Sequence, residues 1–571
     1  MSIAIAQMRV ALANPCKNKE QMLSWIQQAK SSGAQTVVFP ELALCGYLAD
    51  ELVASEALAR DCAEAAQEIA AAAEGIKVIF GNLSLENGLP RSRVFLAEAG
   101  QLTLLPALGG ASYFKAAILP SAECSKAQSV PLTIDGQEKR ALLLIGDWRE
   151  LPLPATDAEL VIALSPQPLV IGESKLPYPK TTLPLLQLGS IGLMSLGKAN
   201  YLFAGHSSFY DGNQQLLAAA PFFSEGLFLW NWQGGEIAPA LVGDALLGEA
   251  VAAGAAEFCA SINASRAVIG ISGGIDSALA ACVYRQALGA DNVYLISMPS
   301  RFNSTATKSL AQGMAEGLGL NFATMPIENG LALFYDSFTE HAFVDANGRQ
   351  SYVTLTDSVK ENIMARERAR ILAAAAAGLG AIFTCNGNKA ELTVGYATFY
   401  GDLAGAFAAQ ADLWKYQVYA ASRYFQSLFP DAPLEQIAAI RPSAELSANQ
   451  DVTKGLGDPL IYAYHDYLLK SWVEGGQTPT DTLLAYRSGS LEEQLGCESG
   501  LVAKLFADAA AFIADIEYWW RMYRVVGVAK RVQAPPLLAL SVKPFGEPMP
   551  QVQGACYLDN QFAQLKKELL R

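Results

Sequence analysis

The stretch RAVIGISGGIDSALAACVY, residues 266–284, reads as strand, tight turn and helix. Val268, Ile269 and Ile271 are β-branched, as suits a short buried parallel strand. Ser272-Gly273-Gly274 form a turn in which two residues lack a Cβ. Asp276 and Ser277 favour a helix start, and Ala278 to Val283 continue as a buried helix. A glycine turn feeding a helix N-terminus presents backbone N–H groups and the positive end of the helix dipole to an anion. The turn has no Gly-Lys-Ser/Thr and no GxGxxG, so it is neither a Walker A loop nor a dinucleotide fingerprint. A carboxylate, Asp276, stands where phosphate oxygens would crowd. Mg²⁺ bridging Asp276 to phosphate relieves that repulsion. The phosphate-holding candidates are Gly270, Ser272, Gly273, Gly274, Asp276 and Ser277.

The rest of the chain narrows the class. Its 571 residues are 51% hydrophobic and 17% charged, ample for two large or several smaller cores. A net charge of −14 is a poor footprint for nucleic acid or an anionic membrane surface. The nine cysteines are scattered without a CxxC, which suggests neither a zinc site nor a disulfide framework. Three histidines lie far apart (His206, His341 and His465), so a His-rich metal site is not expected. The N-terminus has no signal-peptide pattern, and the alanine-rich run 371–385 is too short to span a bilayer. A reduced, cytoplasmic protein is expected.

Residues 1–240 read as an α/β unit. Strands are expected at 2–7, 36–42 (delivering Glu41 at its end), 77–85, 93–102, 141–148 and 159–165, with helices over 19–32 and 51–73. Gly234-Gly235 and Pro239 break the pattern and mark a junction. A second domain is expected over 245–545, followed by a tail over 546–571. In it, 292–298 read as a strand, and 306–318 and 358–372 as helices. The latter carries Glu361, Arg366, Arg368 and Arg370. A strand before Asn386 then leads to Lys389 and Glu391, a second carboxylate able to share Mg²⁺ with Asp276. In a doubly wound sheet, ligands sit beyond the C-terminal strand ends, where these loops lie.

SGGIDS resembles the loop of the ATP pyrophosphatase superfamily, which cleaves ATP to AMP and pyrophosphate while activating a carboxylate or carbonyl. The succession SIAIAQ, VVFPELALCGY, VIFGNLSL and SSFYDGNQQLLAAAPFF over residues 2–223 resembles the nitrilase amidase fold. That family uses a Glu general base, a Lys that stabilises the oxyanion and a Cys nucleophile. The resemblance puts the Glu at Glu41 and the Lys at Lys115. Where the family reads I-C-E-D-x-W, this chain reads Leu144-Ile145-Gly146-Asp147-Trp148, without a thiol. No thioester can form there, and loss of a nucleophile typically costs on the order of 10⁴ to 10⁶ in rate. Cys45 reads as a packing residue, and Cys124, in a loop after Lys115, fares little better as a substitute. The family's N-A-S-P turn has become Ala163-Leu164-Ser165-Pro166. A retained fold with a silent amidase site is expected.

MPSRFNS (298–304), ENIMARERAR (361–370), NGNKAELTVGY (386–396), YGDLAG (400–405), RPSAELS (441–447) and KRVQAPP (530–536) follow SGGIDS in the order seen in NAD synthetases. With the nitrilase-like front they resemble the two-domain, glutamine-dependent type. The fold implied is a nitrilase-like α/β sandwich followed by a doubly wound parallel-sheet ATP pyrophosphatase domain. The resemblance implies that the glycine turn and Asn386 hold ATP and that Asp276 and Glu391 ligate Mg²⁺. Asn362, Arg366, Glu391, Trp414 and Lys530 would meet the substrate dinucleotide. Asn386 and Ala390 replace the family's Thr and Ser. The implied reaction amidates nicotinate adenine dinucleotide to NAD through an acyl adenylate. Ammonia is the expected nitrogen source, free or from a partner protein, and a homo-oligomer is expected. The alternatives are glutamine use through a divergent amidase site, the mononucleotide as substrate, another ATP pyrophosphatase ligase, and a non-enzymatic scaffold. His465 reads as a helix-surface or packing residue.

Overall fold

A computed structural model describes residues 2–47, 50–109, 119–120, 128–148, 151, 153–172, 181–443, 457–546 and 556–571. The chain divides into two compact units, Met1–Leu196 with Tyr201–Leu241, and Gly197–Asn200 with Val242–Arg571.

The first unit holds two seven-stranded sheets. In one, the strand Ile3–Gln7 lies between Gly226–Trp230, antiparallel, and Thr36–Val38, parallel. Lys77–Glu86 continues the parallel part and then turns back through Asn87-Gly88, both at positive φ, into Leu89–Glu98. Asn-Gly with left-handed backbone is the turn that matches strand twist in a tight hairpin. The expected strand at 93–102 is thus the second arm of this hairpin, and a further turn at Ala99-Gly100 starts a separate strand, Gln101–Leu105. The second sheet is built around Gln137–Ile145 and Leu160–Ala163, which pair in parallel. Ile3, Ile5, Val38 and Ile79 of one sheet share a core with Leu143, Ile145, Ile162 and Leu186 of the other. Alternation along each strand puts these side chains on the inner faces of a sandwich. The helix Pro15–Ser31 buries Met22 and Ile26. The expected helix over 51–73 begins as a 3₁₀ turn, Asp50–Ala54, and restarts at Glu56–Ala72 because the Ser55 hydroxyl caps it.

The second unit contains a four-stranded sheet in the order Asn321–Thr324, Val293–Ser297, Ala267–Gly270, Ile382–Phe383, parallel throughout. The chain leaves the strand 267–270 toward one edge and returns on its other side at 382–383. The topological switch point therefore lies between these two strands, where a crevice opens past their C-terminal ends. Val268 packs with Ile363, Leu372 and Ala376 of the long helix Asp357–Leu379 on one face. The helix Ile275–Leu288 buries Ala278, Leu279 and Val283. The helix expected to end at Leu372 runs on through the alanine run and stops where Gly380 takes φ +60. Helices Tyr462–Val473, Pro479–Ser488 and Ala509–Arg521 form a second core with Trp472, Phe512 and Trp519. The stretch expected as a tail ends in the helix Asn560–Leu569, whose Phe562 and Leu565 are buried in that core. His465 is buried there too: its Nδ1 accepts from the Ile461 N–H at 2.8 Å and its Nε2 lies 3.3 Å from Asp515. Its place is in the packing and not on a helix surface. Among the described residues no helix is long and apolar enough to cross a membrane.

Candidate active site

The glycine turn emerges at the switch point. Ser277 Oγ accepts from the Ser272 N–H at 3.2 Å and donates to the Gly274 carbonyl at 3.0 Å, so the turn is braced by its own serines. The helix that follows starts at Gly274 without a side-chain cap, which leaves first-turn N–H groups for an anion. Gly273 has φ +86, and a Cβ there would sit 2.2 Å from the Thr307 carbonyl oxygen. Both facts forbid a side chain. G273A is expected to lower stability by about 1–2 kcal/mol from the left-handed backbone alone, with the clash adding to this. Its melting temperature and ATP affinity should fall together; an unchanged ATP affinity would contradict the phosphate reading of the turn.

Asp276 and Glu391 meet across this crevice. Asp276 accepts a hydrogen bond from Asn388 Nδ2 at 3.1 Å and pairs with the Lys415 ammonium. Glu391 stands in the first turn of the short helix Lys389–Val394 and closes a capping box with Asn388. Its other oxygen accepts from the Tyr462 hydroxyl at 3.2 Å and lies 4.0 Å from Lys415 Nζ. Tyr462 and Tyr396 also donate to Asp458. Burial, then the charge of Asp276, push Glu391 up to about 8, against the pull of Lys415. Burial alone would lower Lys415; the charges of Asp276 and Glu391 outweigh it and raise it. Two carboxylates thus share one lysine. Among the described residues no cluster of three or more His, Cys, Asp or Glu is arranged to cage a metal. Two facing carboxylates with a surplus of negative charge nevertheless fit Mg²⁺, which takes one or two carboxylates and completes its shell with phosphate and water.

A cavity of about 250 Å³ opens beside the turn, with Met298, Leu372 and Phe383 at an apolar end and Ser272, Asp276 and Glu391 at the polar one. A second, of about 180 Å³, shares Ser272, Asp276 and Glu391 and adds Lys415, Tyr396 and Asp458. Gly270 and Asn386 line the first. Gln410 donates to the carbonyls of both Asp276 and Asn386, which ties the two loops together.

Other expected residues lie elsewhere. Asn362 accepts from the Thr398 hydroxyl at 2.9 Å, Arg366 donates to the Phe399 carbonyl at 3.0 Å and Lys530 to the Gly395 carbonyl at 2.6 Å. The three brace residues 395–399 and line neither cavity. Trp414 is a correction: it is 1% exposed, its indole N–H donates to Glu474 at 2.8 Å, and it belongs to the helical core. Its neighbour Lys415 is the side chain that reaches the site. Asp412 likewise faces inward, pairing with buried Lys389 at 2.8 Å. Lys415, Asn388, Tyr462 and Asp458 were not singled out as site residues; Lys415 alone had a signal, as the neighbour of the expected Trp414.

In the first unit, Glu41 is 3% exposed. Its carboxylate accepts from the Ser92 and Ser165 hydroxyls and from the Gly146 N–H at 3.0 Å. Burial raises its pKa while these three donors oppose the rise. Ile145 points into the core between the sheets, and Gly146, at φ +70, turns its backbone toward Glu41. The contact with Cys62, then burial, hold the Cys45 thiol well above its ordinary range, so it stays a protonated packing group. Lys115 and Cys124 lie outside the described residues.

Comparison with known proteins agrees with this layout. The carbon-nitrogen hydrolase family model matches residues 2–119 and the NAD synthase family model residues 250–494. A glutamine-dependent NAD(+) synthetase of Synechocystis is 29% identical over 524 residues, covering 85% of this chain and 90% of that protein. One from Xylella fastidiosa is 28% identical over 523 residues, covering 86% and 92%. The crystal structure of a glutamine-dependent NAD(+) synthetase from Cytophaga hutchinsonii superposes with a TM-score of 0.75 at 16% identity over 100% of both chains, a likeness of fold. With both units matched in order along nearly the whole of such relatives, the chain belongs to the family of two-domain NAD synthetases.

Proposed function

We propose that the protein amidates nicotinate adenine dinucleotide to NAD at the expense of ATP, with ammonia as the nitrogen source. The observation that carries this reading is the meeting of the glycine turn, Asp276, Glu391 and Lys415 at one switch point. A carboxylate oxygen of the substrate attacks the α-phosphorus of ATP. The bond to the β-phosphate breaks, and pyrophosphate leaves with its electron pair toward the N–H groups of the turn and the helix N-terminus. Lys415 stays protonated and holds Asp276 and Glu391 in place. Ammonia then adds to the acyl carbon of the adenylate, AMP departs with the C–O electron pair, and the nitrogen loses one proton. No histidine is needed.

Mg²⁺ held by Asp276 and Glu391 would neutralise phosphate charge as the leaving group forms. This gives a pH signature. Without a cation, Glu391 keeps its proton below about pH 8. A cation favours the ionised form, so Mg²⁺ uptake near pH 7 should release a proton, and apparent affinity should climb with pH until about 8 and then level. Calorimetry in two buffers of different ionisation enthalpy reads the released proton. Wild type should show it and E391Q should not; a proton-silent wild type would remove Glu391 from the metal site.

Adenylate formation is tested by incubating the protein with ATP and the acid dinucleotide and following AMP and pyrophosphate. The reading holds if pyrophosphate forms only when the dinucleotide is present and sustained release of AMP needs ammonium as well. We further read the protein as a homo-oligomer, and as one that takes free ammonia or ammonia from a donor protein, because residues 144–148 beside Glu41 carry no thiol.

A further inference from the structure

The departing pyrophosphate carries several negative charges, and most cations at the two cavities already have partners. Lys415 is engaged with Asp276 and Glu391. Arg368 donates through Nε to the Met298 carbonyl at 3.1 Å and lies 3.4 Å from Asn303 Oδ1 through Nη2. Lys308 differs. It lines the larger cavity with Ser272 of the glycine turn, its side chain is exposed, and among the described residues no hydrogen bond or ion pair engages that side chain.

Its mounting is rigid. Lys308 belongs to the first turn of the helix Thr305–Leu318, capped by the Ser304 hydroxyl. Thr307, the residue before it, has its carbonyl oxygen 2.2 Å from where a Gly273 Cβ would stand, so this helix start is pressed against the glycine turn itself. The backbone is fixed, while the ammonium sits on a flexible four-carbon stem with three donors. We propose that Lys308 grips the pyrophosphate leaving group of ATP from the helix start that packs against the glycine turn. The proposal rests on the adenylating function argued above. Lys308 forms charge-assisted hydrogen bonds to the leaving oxygens and takes part in no proton transfer.

The probe is inorganic pyrophosphate, titrated calorimetrically into wild type, K308M and K308R in Mg²⁺-containing buffer, with AMP as a control. Lys308 is exposed, so the melting temperatures should coincide. K308M should bind pyrophosphate about tenfold more weakly and lose part of the salt dependence of binding. K308R should stay close to wild type, and AMP affinity should not move. Equal pyrophosphate affinity in K308M and wild type overturns the role of Lys308 and leaves the synthetase reading intact. A wild type that forms no AMP from ATP, the acid dinucleotide and ammonium overturns that reading, and the role of Lys308 with it.

Discussion

D276N is expected to lower kcat for AMP formation by at least about 10³ while leaving the fold intact. The side chain changes shape little, and its amide oxygen can still accept from Asn388, which now donates at 3.1 Å. Lys415 loses one partner but keeps Glu391 at 4.0 Å, which ionises more readily once the charge of Asp276 no longer opposes it, so no lone charge is stranded in the interior. What disappears is a full negative charge at the mouth of the glycine turn. A cation held there would neutralise charge on the triphosphate, and an amide holds Mg²⁺ poorly. The measurement is AMP release by purified wild type and D276N at saturating ATP, acid dinucleotide and ammonium, beside thermal melts of both. If D276N retains activity within a factor of ten of wild type, the site has been misread.

The second large effect concerns nitrogen. With ¹⁵N-ammonium the product amide should carry label. With amide-¹⁵N glutamine as sole donor the rate should be on the order of 10⁴ lower or less than detectable. The reason goes beyond a missing thiol. The carboxylate that would serve as general base, Glu41, is hydrogen-bonded by two serine hydroxyls and by the Gly146 N–H. The nearby Cys45 is held protonated. Label transfer from glutamine at a rate near that with ammonium would show that another group in this chain supplies the nucleophile.

The local chemistry of turns was readable from sequence; pairings over long distances were not. SGGIDS announced its geometry because glycine, a helix start and a β-branched strand occupy consecutive positions. Asp276 and Glu391 were readable because each sits in the first turn of a helix after a strand. Lys415 was missed as the partner of Asp276 because 139 residues separate them. Trp414 and Lys415 were confused for a related reason: adjacent residues at a helix start face different ways, and polarity alone does not say which side chain faces the cavity. Asn362, Arg366 and Lys530 were correctly polar, but their targets are backbone carbonyls at 395 and 399 and a side chain at 398, which carry no sequence mark. The hairpin at Asn87-Gly88 was overlooked although its turn residues are distinctive, and strand alternation on either side masked it.

Gly146 makes the loss of the amidase hard to undo. At φ +70 its place in the chain disfavours any residue with a β-carbon by about 1–2 kcal/mol, so a mutation to cysteine there would meet resistance from the backbone before any chemistry could begin. One step earlier, the side chain of residue 145 is committed to the interior between the sheets. At neither 145 nor 146, then, does one substitution set a thiol to attack beside Glu41. A lineage carrying this loop would have to change several residues together to set a thiol there, which would leave it reliant on nitrogen from outside if the amidase site is silent.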